Sequence, residues 1–161
     1  MCSEVEMNND KAVATFFELK ESQAVSDPAL LDELWAGLEP IGRDFMLGAW
    51  SGGELPSGHA MDGQLELVNW HGKTFDSYHD VKPLVCRDED GNLYSNKELG
   101  KGEASLWAVE FRGETTASMV YDGQPVIDHF KKVDDTHVMG IMNGKTSLVR
   151  ERHFYFYLVR E

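Results

Sequence analysis

Basic residues are scarce in this chain: 15 Lys and Arg stand against 28 Asp and Glu, a formal net charge of −13. A surface with that balance repels phosphate backbones and anionic membranes, which argues against nucleic acid as a partner. Cysteine is scarcer still. Two residues, Cys2 and Cys86, cannot make a disulfide framework, and Cys2 falls in a terminus expected to be mobile. No window approaches the ~18 consecutive apolar residues of a membrane-spanning helix. The opening Met1-Cys2-Ser3-Glu4-Val5-Glu6 is acidic and lacks the apolar core of a secretory leader. A cytoplasmic location is the expectation from these absences.

Familiar catalytic signatures are missing as well. The chain has no Gly-x-x-x-x-Gly-Lys phosphate loop, no Gly-x-Ser-x-Gly elbow, no His-Glu-x-x-His and no Cys-x-x-Cys. Histidines at 59, 71, 79, 129, 137 and 153 have no ligand-like spacing, so no metal site is expected. Haem is the exception, because a single inward histidine in an apolar barrel would suffice.

What is present is a core. Hydrophobic residues make up 42% of 161 positions, enough for one domain over 1–161, and no linker or tandem repeat divides it. Residues 1–42 read as a helical segment. Val13, Phe16 and Phe17 carry helical spacing after a candidate cap at Asp10. A second helix is better marked: Asp27 can cap it, Pro28 suits its first position, and Leu30, Leu31, Leu34, Trp35 and Leu38 recur at intervals of three and four. Gly37 or Gly42 ends it.

From residue 43 the period changes to two. Strands are expected at Phe45–Trp50, Leu65–Trp70, Thr74–His79, Val81–Arg87, Leu93–Ser95, Ser105–Phe111, Thr115–Tyr121, Val126–Val133, His137–Met142 and His153–Arg160. Asp90-Gly91-Asn92, Arg112-Gly113-Glu114, Asp122-Gly123 and Asn143-Gly144 supply hairpin turns between them. About ten short strands with no long helix among them imply a mainly β fold. The expected form is an antiparallel, closed or nearly closed barrel with two N-terminal helices.

Several segments carry chemistry. Gly48-Ala49-Trp50-Ser51-Gly52-Gly53 bends a strand while its indole plugs one end of the core or walls a ligand. Pro56-Ser57-Gly58-His59 is a rim loop whose histidine could exchange a proton or sit exposed in a turn. Trp70-His71-Gly72-Lys73-Thr74-Phe75 reads as an aromatic turn, with Trp70 and Phe75 inward and Lys73 outside or reaching over the rim. Arg112 closes a strand ahead of Tyr121.

Asp128 and His129 are neighbours in a strand and must point to opposite faces, so they cannot pair with each other. One of the two faces inward and requires a partner, a water or a ligand. Met139-Gly140-Ile141-Met142 and Phe154-Tyr155-Phe156-Tyr157-Leu158 supply a soft apolar wall or plain core.

Taken together, these segments resemble the GXWXG protein family with its second region of unknown function at the C-terminus. The first region matches Leu47–Glu54, Ser57-Gly58-His59 and Trp70–Phe75. The second matches Glu110–Gly113, Ser118–Asp122, Pro125–Phe130, Met139–Met142 and Phe154–Leu158. Ser57 stands where relatives often have threonine, and the hydroxyl survives. The resemblance implies a lipocalin-like barrel built from both regions, with no settled activity. It marks Trp50, His59, Trp70, Lys73, Arg112, Tyr121, Asp128 and His129 as motif positions. A looser resemblance, through the same Gly-x-Trp-x-Gly opening, is to haem-binding nitrobindin barrels.

The functional expectation is a small-molecule binding barrel for an apolar or amphipathic ligand. His59, Arg112, Tyr121 and either Asp128 or His129 would orient one polar end of that ligand. The alternative is an isomerase, cyclase or lyase in which His129 or His59 moves a proton and Arg112 or Lys73 holds an anion. A purely structural or protein-interaction role is a further reading, and the expected assembly is a monomer or homodimer.

Overall fold

The computed structural model describes residues 6–145 and 152–161. The readings made for Met1 to Val5, Cys2 among them, lie outside the described residues. Two helices open the chain, α1 (Asn9–Ser22) and α2 (Pro28–Gly37). Asn8 rather than Asp10 caps α1, its side chain accepting from the Lys11 amide at 2.9 Å. In α2 the Asp27 carboxylate takes the Ala29 amide at 2.9 Å and Pro28 occupies the first turn.

A two-residue strand β1 (Glu39–Pro40) and a single helical turn α3 (Arg43–Met46) follow. Next come β2 (Gly48–Glu54), α4 (Gln64–Leu67), β3 (Trp70–Ser77), β4 (Asp80–Arg87), β5 (Leu93–Ser95) and α5 (Lys97–Gly100). The remainder is strand: β6 (Ala104–Phe111), β7 (Glu114–Tyr121), β8 (Ile127–Lys132), β9 (His137–Asn143) and β10 (Phe154–Arg160).

All ten strands join one antiparallel sheet whose order runs β1-β8-β7-β6-β4-β3-β2-β10-β9, with β8 also paired to β9 and β5 to β4. The β8–β9 pairing closes a ring, so the sheet has the barrel form that removes exposed edges. The ring has a narrow seam. β4 meets β6 in register only at Val81 and Ala104, and beyond that point β4 turns to β5 instead.

Two expected strands are corrected. Phe45 and Met46 lie in α3, because the Trp50 indole donates to the Met46 carbonyl at 2.8 Å and folds the turn back over the barrel end. Leu65 and Leu67 lie in α4, not in a strand, and Asn69 with φ 55 ends that excursion before β3 begins. The Trp70–Phe75 segment is itself strand β3, with register shifts between Trp70 and Gly72 and between Gly72 and Thr74.

Two cores result from the alternation. Inside the ring, Trp50, Phe75, Leu106, Met119, Phe130, Val138, Phe154, Phe156 and Leu158 pack together. Outside it, α1 and α2 lay Phe16, Leu31, Leu34 and Trp35 on Met139, Ile141 and Tyr155 of β9 and β10. Among the described residues no helix is long and apolar enough to cross a membrane.

Candidate functional site: a buried ion pair facing a barrel cavity

The two ends of the barrel differ. At one end Trp50, 1% exposed, fills the interior, and the Arg160 guanidinium lies 4.2 Å from its ring while donating to the carbonyls of Leu47 and Phe45. That end is plugged. At the other a cavity of about 320 Å³ opens beside the β4–β6 seam. Met61, Gln64, Leu65 and Val68 of the β2–β3 connection wall it on one side, with Leu84 and Leu99 near the seam. Gln124 and Val126 of the β7–β8 turn, together with Met142, Phe154 and Phe156, complete the apolar surround.

The polar end of the cavity is made by Lys73, Tyr121 and Asp128. Lys73 is 3% exposed and Asp128 1% exposed, and their Nζ and Oδ2 atoms lie 3.1 Å apart. The ammonium also donates to the Pro83 carbonyl at 3.2 Å. Three rings surround it, Phe156 at 5.3 Å, Trp70 at 5.6 Å and Tyr121 at 5.7 Å, each a cation–π contact in a desolvated setting.

Two glycines make room for this cage. A β-carbon at Gly52 would overlap the Trp70 indole, and one at Gly140 would overlap the Phe156 ring. The second glycine of the Gly-x-Trp-x-Gly opening thus seats a cavity wall, whereas its tryptophan seals the opposite end.

Asp128 is only half satisfied. Oδ2 faces Lys73, but Oδ1 is buried without a hydrogen-bond partner. Burial pushes the Asp128 carboxyl above the ordinary carboxylate range, a rise that the Lys73 charge and hydrogen bond oppose. Burial, with the Asp128 charge second, holds the Tyr121 phenol well above its ordinary range and keeps it a donor.

Family models match the chain in two stretches, GXWXG protein over residues 33–91 and a domain of unknown function, DUF4334, over residues 102–160. A crystal structure of a protein from Thermomonospora curvata is 41% identical, superposes with a TM-score of 0.84, and is matched over 93% of this chain and 98% of that one. The chain belongs to the GXWXG family. No curated protein matches it. The two family stretches do not form separate barrels. β2, β3 and β4 come from the GXWXG stretch and β6 to β10 from the other, and the ring closes only where they meet, at β2–β10 and β4–β6.

Four of the eight family positions, Trp70, Lys73, Tyr121 and Asp128, line the cavity. The other four do not. Trp50 is the plug described above. His59 is buried beside the cavity wall, its Nδ1 accepting from the Met61 amide at 3.0 Å and its ring 5.8 Å from Phe154. Arg112 lies outside the barrel, where it binds the Asp32 carboxylate of α2 at 2.8 Å, and Asp32 also accepts from the Tyr155 hydroxyl at 2.7 Å.

His129 is on the outer sheet face, stacked on Phe111 at 4.0 Å, with Ser118 Oγ 2.7 Å from Nδ1 and Asn143 Nδ2 3.1 Å from Nε2. Ser118 in turn donates to the Thr116 carbonyl at 3.1 Å, so Nδ1–H is the donor to Ser118 and Nε2 the acceptor from Asn143. Burial, reinforced by His153 and Arg112, pulls the His129 ring down to about 4 and keeps it neutral.

Asp128 is therefore the inward member of the Asp128–His129 step, and the expectation that His59, Arg112 or His129 sits at the polar end of the cavity is corrected. The expectation for Lys73 is corrected too. It lies two residues before the inward Phe75, and strand alternation carries both side chains to the interior. Among the described residues no histidine lines the cavity, so these walls do not fit a haem held by a proximal histidine. Sequence reasoning missed the Lys73–Asp128 pairing, although a lysine beside Trp70 and Phe75 and an aspartate in a strand were both visible.

Proposed function

We propose that this chain binds a small, mainly apolar molecule carrying one polar group, seated in the cavity with that group against Asp128 and Tyr121. The observation that carries this reading is Asp128, which lines the cavity and whose Oδ1 is buried with no hydrogen-bond partner. An unpaired buried oxygen costs about 1–3 kcal/mol, and a buried ion pair is seldom better for stability than apolar residues of the same size. Two such features on one cavity are the arrangement of a site whose missing partner is a ligand donor, a hydroxyl or an N–H. The volume, about 320 Å³, is at the lower end of small-molecule pockets and suits a molecule of one or two rings or a short chain. Soft residues such as Met61 and Met142 tolerate variation in its apolar part.

Native mass spectrometry of the purified full chain tests this, paired with a fluorescence titration using aminoanthracene, an apolar probe with an N–H donor. The expected result is a released adduct or saturable probe binding that Val126→Trp, which fills the cavity, abolishes. A bare-chain mass together with probe binding that is absent or indifferent to Val126→Trp would overturn the reading.

A further inference from the structure

If the cavity holds an apolar molecule with one polar group, its polar end is equipped to do more than bind. Among the described residues that line the cavity Asp128 is the sole carboxyl, and its placement separates the two oxygens by role. Lys73 holds Oδ2 at 3.1 Å and is itself held by the Pro83 carbonyl and caged by three rings. Oδ1 is left bare of hydrogen bonds. A base with one oxygen anchored and one unsolvated is poised to take a proton from the occupant. Tyr121, on the same cavity and close enough to feel the Asp128 charge, offers a hydroxyl donor beside it. Among the described residues that line the cavity there is no serine, threonine, cysteine or histidine. A carboxylate base and a phenol donor in an apolar hollow are the parts needed to move a proton at carbon next to a carbonyl.

We propose that the cavity is an enolisation site, and that its substrate class is a small apolar ketone or lactone with a β,γ double bond, isomerised to the conjugated α,β form. This rests on the cavity being the ligand site. The α C–H bond breaks, its proton goes to Asp128 Oδ1, and its electron pair is delocalised through the carbonyl to give a dienolate. Tyr121 donates a hydrogen bond to the enolate oxygen. Asp128 then returns the proton to the γ carbon and the double bond moves into conjugation. No atom is gained or lost and no co-reactant is consumed. Lys73 is a positioning residue: it fixes which oxygen is free, without touching the reacting carbon.

The test uses the full chain with a β,γ-cyclohexenone, following the ultraviolet absorbance of the conjugated enone and, in deuterated water, label entering the γ carbon of the enone or, by reversal, the α carbon of the starting ketone. The expected result is a saturable rate above that of buffer. Asp128→Asn should lower kcat about 10²–10⁴-fold in a chain whose fold, read by circular dichroism, is retained. Asp128→Asn also strips Lys73 of its counter-charge, so Tyr121→Phe serves as a second variant. It removes one oxygen, and a drop of about 10²–10³-fold in kcat is expected.

A wild-type chain that binds aminoanthracene but forms neither enone nor labelled ketone overturns the enolisation proposal and leaves the binding reading standing. A chain that carries no adduct and does not bind the probe overturns the binding reading. Full activity in folded Asp128→Asn removes Asp128 from the role.

Discussion

Asp128 and His129 are consecutive residues of one strand, both 1% exposed, and the sheet puts them in opposite settings. On the outer face, His129 has a hydrogen-bond partner on each ring nitrogen and a ring stacked on its face. On the inner face, Asp128 has a cation on one oxygen and nothing on the other. A polar cluster with every group answered needs no further explanation than the packing of the helices and turns that cover it. A polar pair with one oxygen unanswered, on a residue that lines a cavity, is incomplete within the chain. The lesson is that burial alone does not distinguish a structural polar residue from a functional one. An unanswered polar atom on a residue that also lines a cavity is the more informative combination.

The strongest way to sharpen this comparison is to take the inner pair apart. Lys73→Met leaves a buried carboxylate without its cation and should cost about 3–5 kcal/mol in urea denaturation. The double variant Lys73→Met/Asp128→Leu should return to within about 1 kcal/mol of the wild type, or exceed it. A double variant as unstable as the single one would make the pair a stabilising element and weaken the case for a ligand.

The outer cluster breaks through pH. The His129 ring titrates at about 4 in the fold against 6.5 unperturbed. As pH falls through this window the unfolded chain takes up a proton that the folded chain refuses, so stability declines from pH 6.5 downward and levels off below about 4. The loss amounts to about 3 kcal/mol, from 1.36 kcal/mol per pH unit. His153, also lowered by burial, adds in the same direction. His129→Gln should flatten this part of the profile, measured by urea denaturation at stepped pH. An unchanged slope would mean that the ring accepts its second proton without losing its partners.

The smallest effect is expected at Arg112, an outer-face position of the family pattern. Its side chain is 32% exposed and paired with an Asp32 that is 42% exposed. Arg112→Ala should cost under about 1 kcal/mol and leave the aminoanthracene Kd unchanged. A large loss of probe binding would move the site from the barrel interior to the outer face.

Much of the fold was legible in the chain. The period-two run from β6 to β10, the hairpin at Arg112-Gly113, where both residues adopt positive φ, and the Asp27–Pro28 helix start are local, and local sequence specifies them. The errors fell where the chain breaks into single helical turns beside strands. Phe45 and Met46 read as strand until Trp50, four residues on, folds them into a helical turn. Leu65 and Leu67 read as strand although they form the short helix that walls the cavity.

Of the candidate site, the residue types were legible and the pairing was not. Strand alternation already required Asp128 and His129 to part, and by the same rule Lys73 shares a face with Phe75. Which face looks inward depends on what covers the other one. α1 and α2 cover the outer face of β9 and β10, and Phe111 and Asn143 cover His129, so the side carrying Asp128 is left for the interior.

The sequence by itself determined an antiparallel barrel with two helices ahead of it, because hydrophobic period, turn glycines and helix caps act over a few residues. The tertiary structure alone decided that Lys73 of β3 meets Asp128 of β8. Those strands are not neighbours in the sheet, and only closing the ring brings their inward side chains across the interior to within a hydrogen bond of each other.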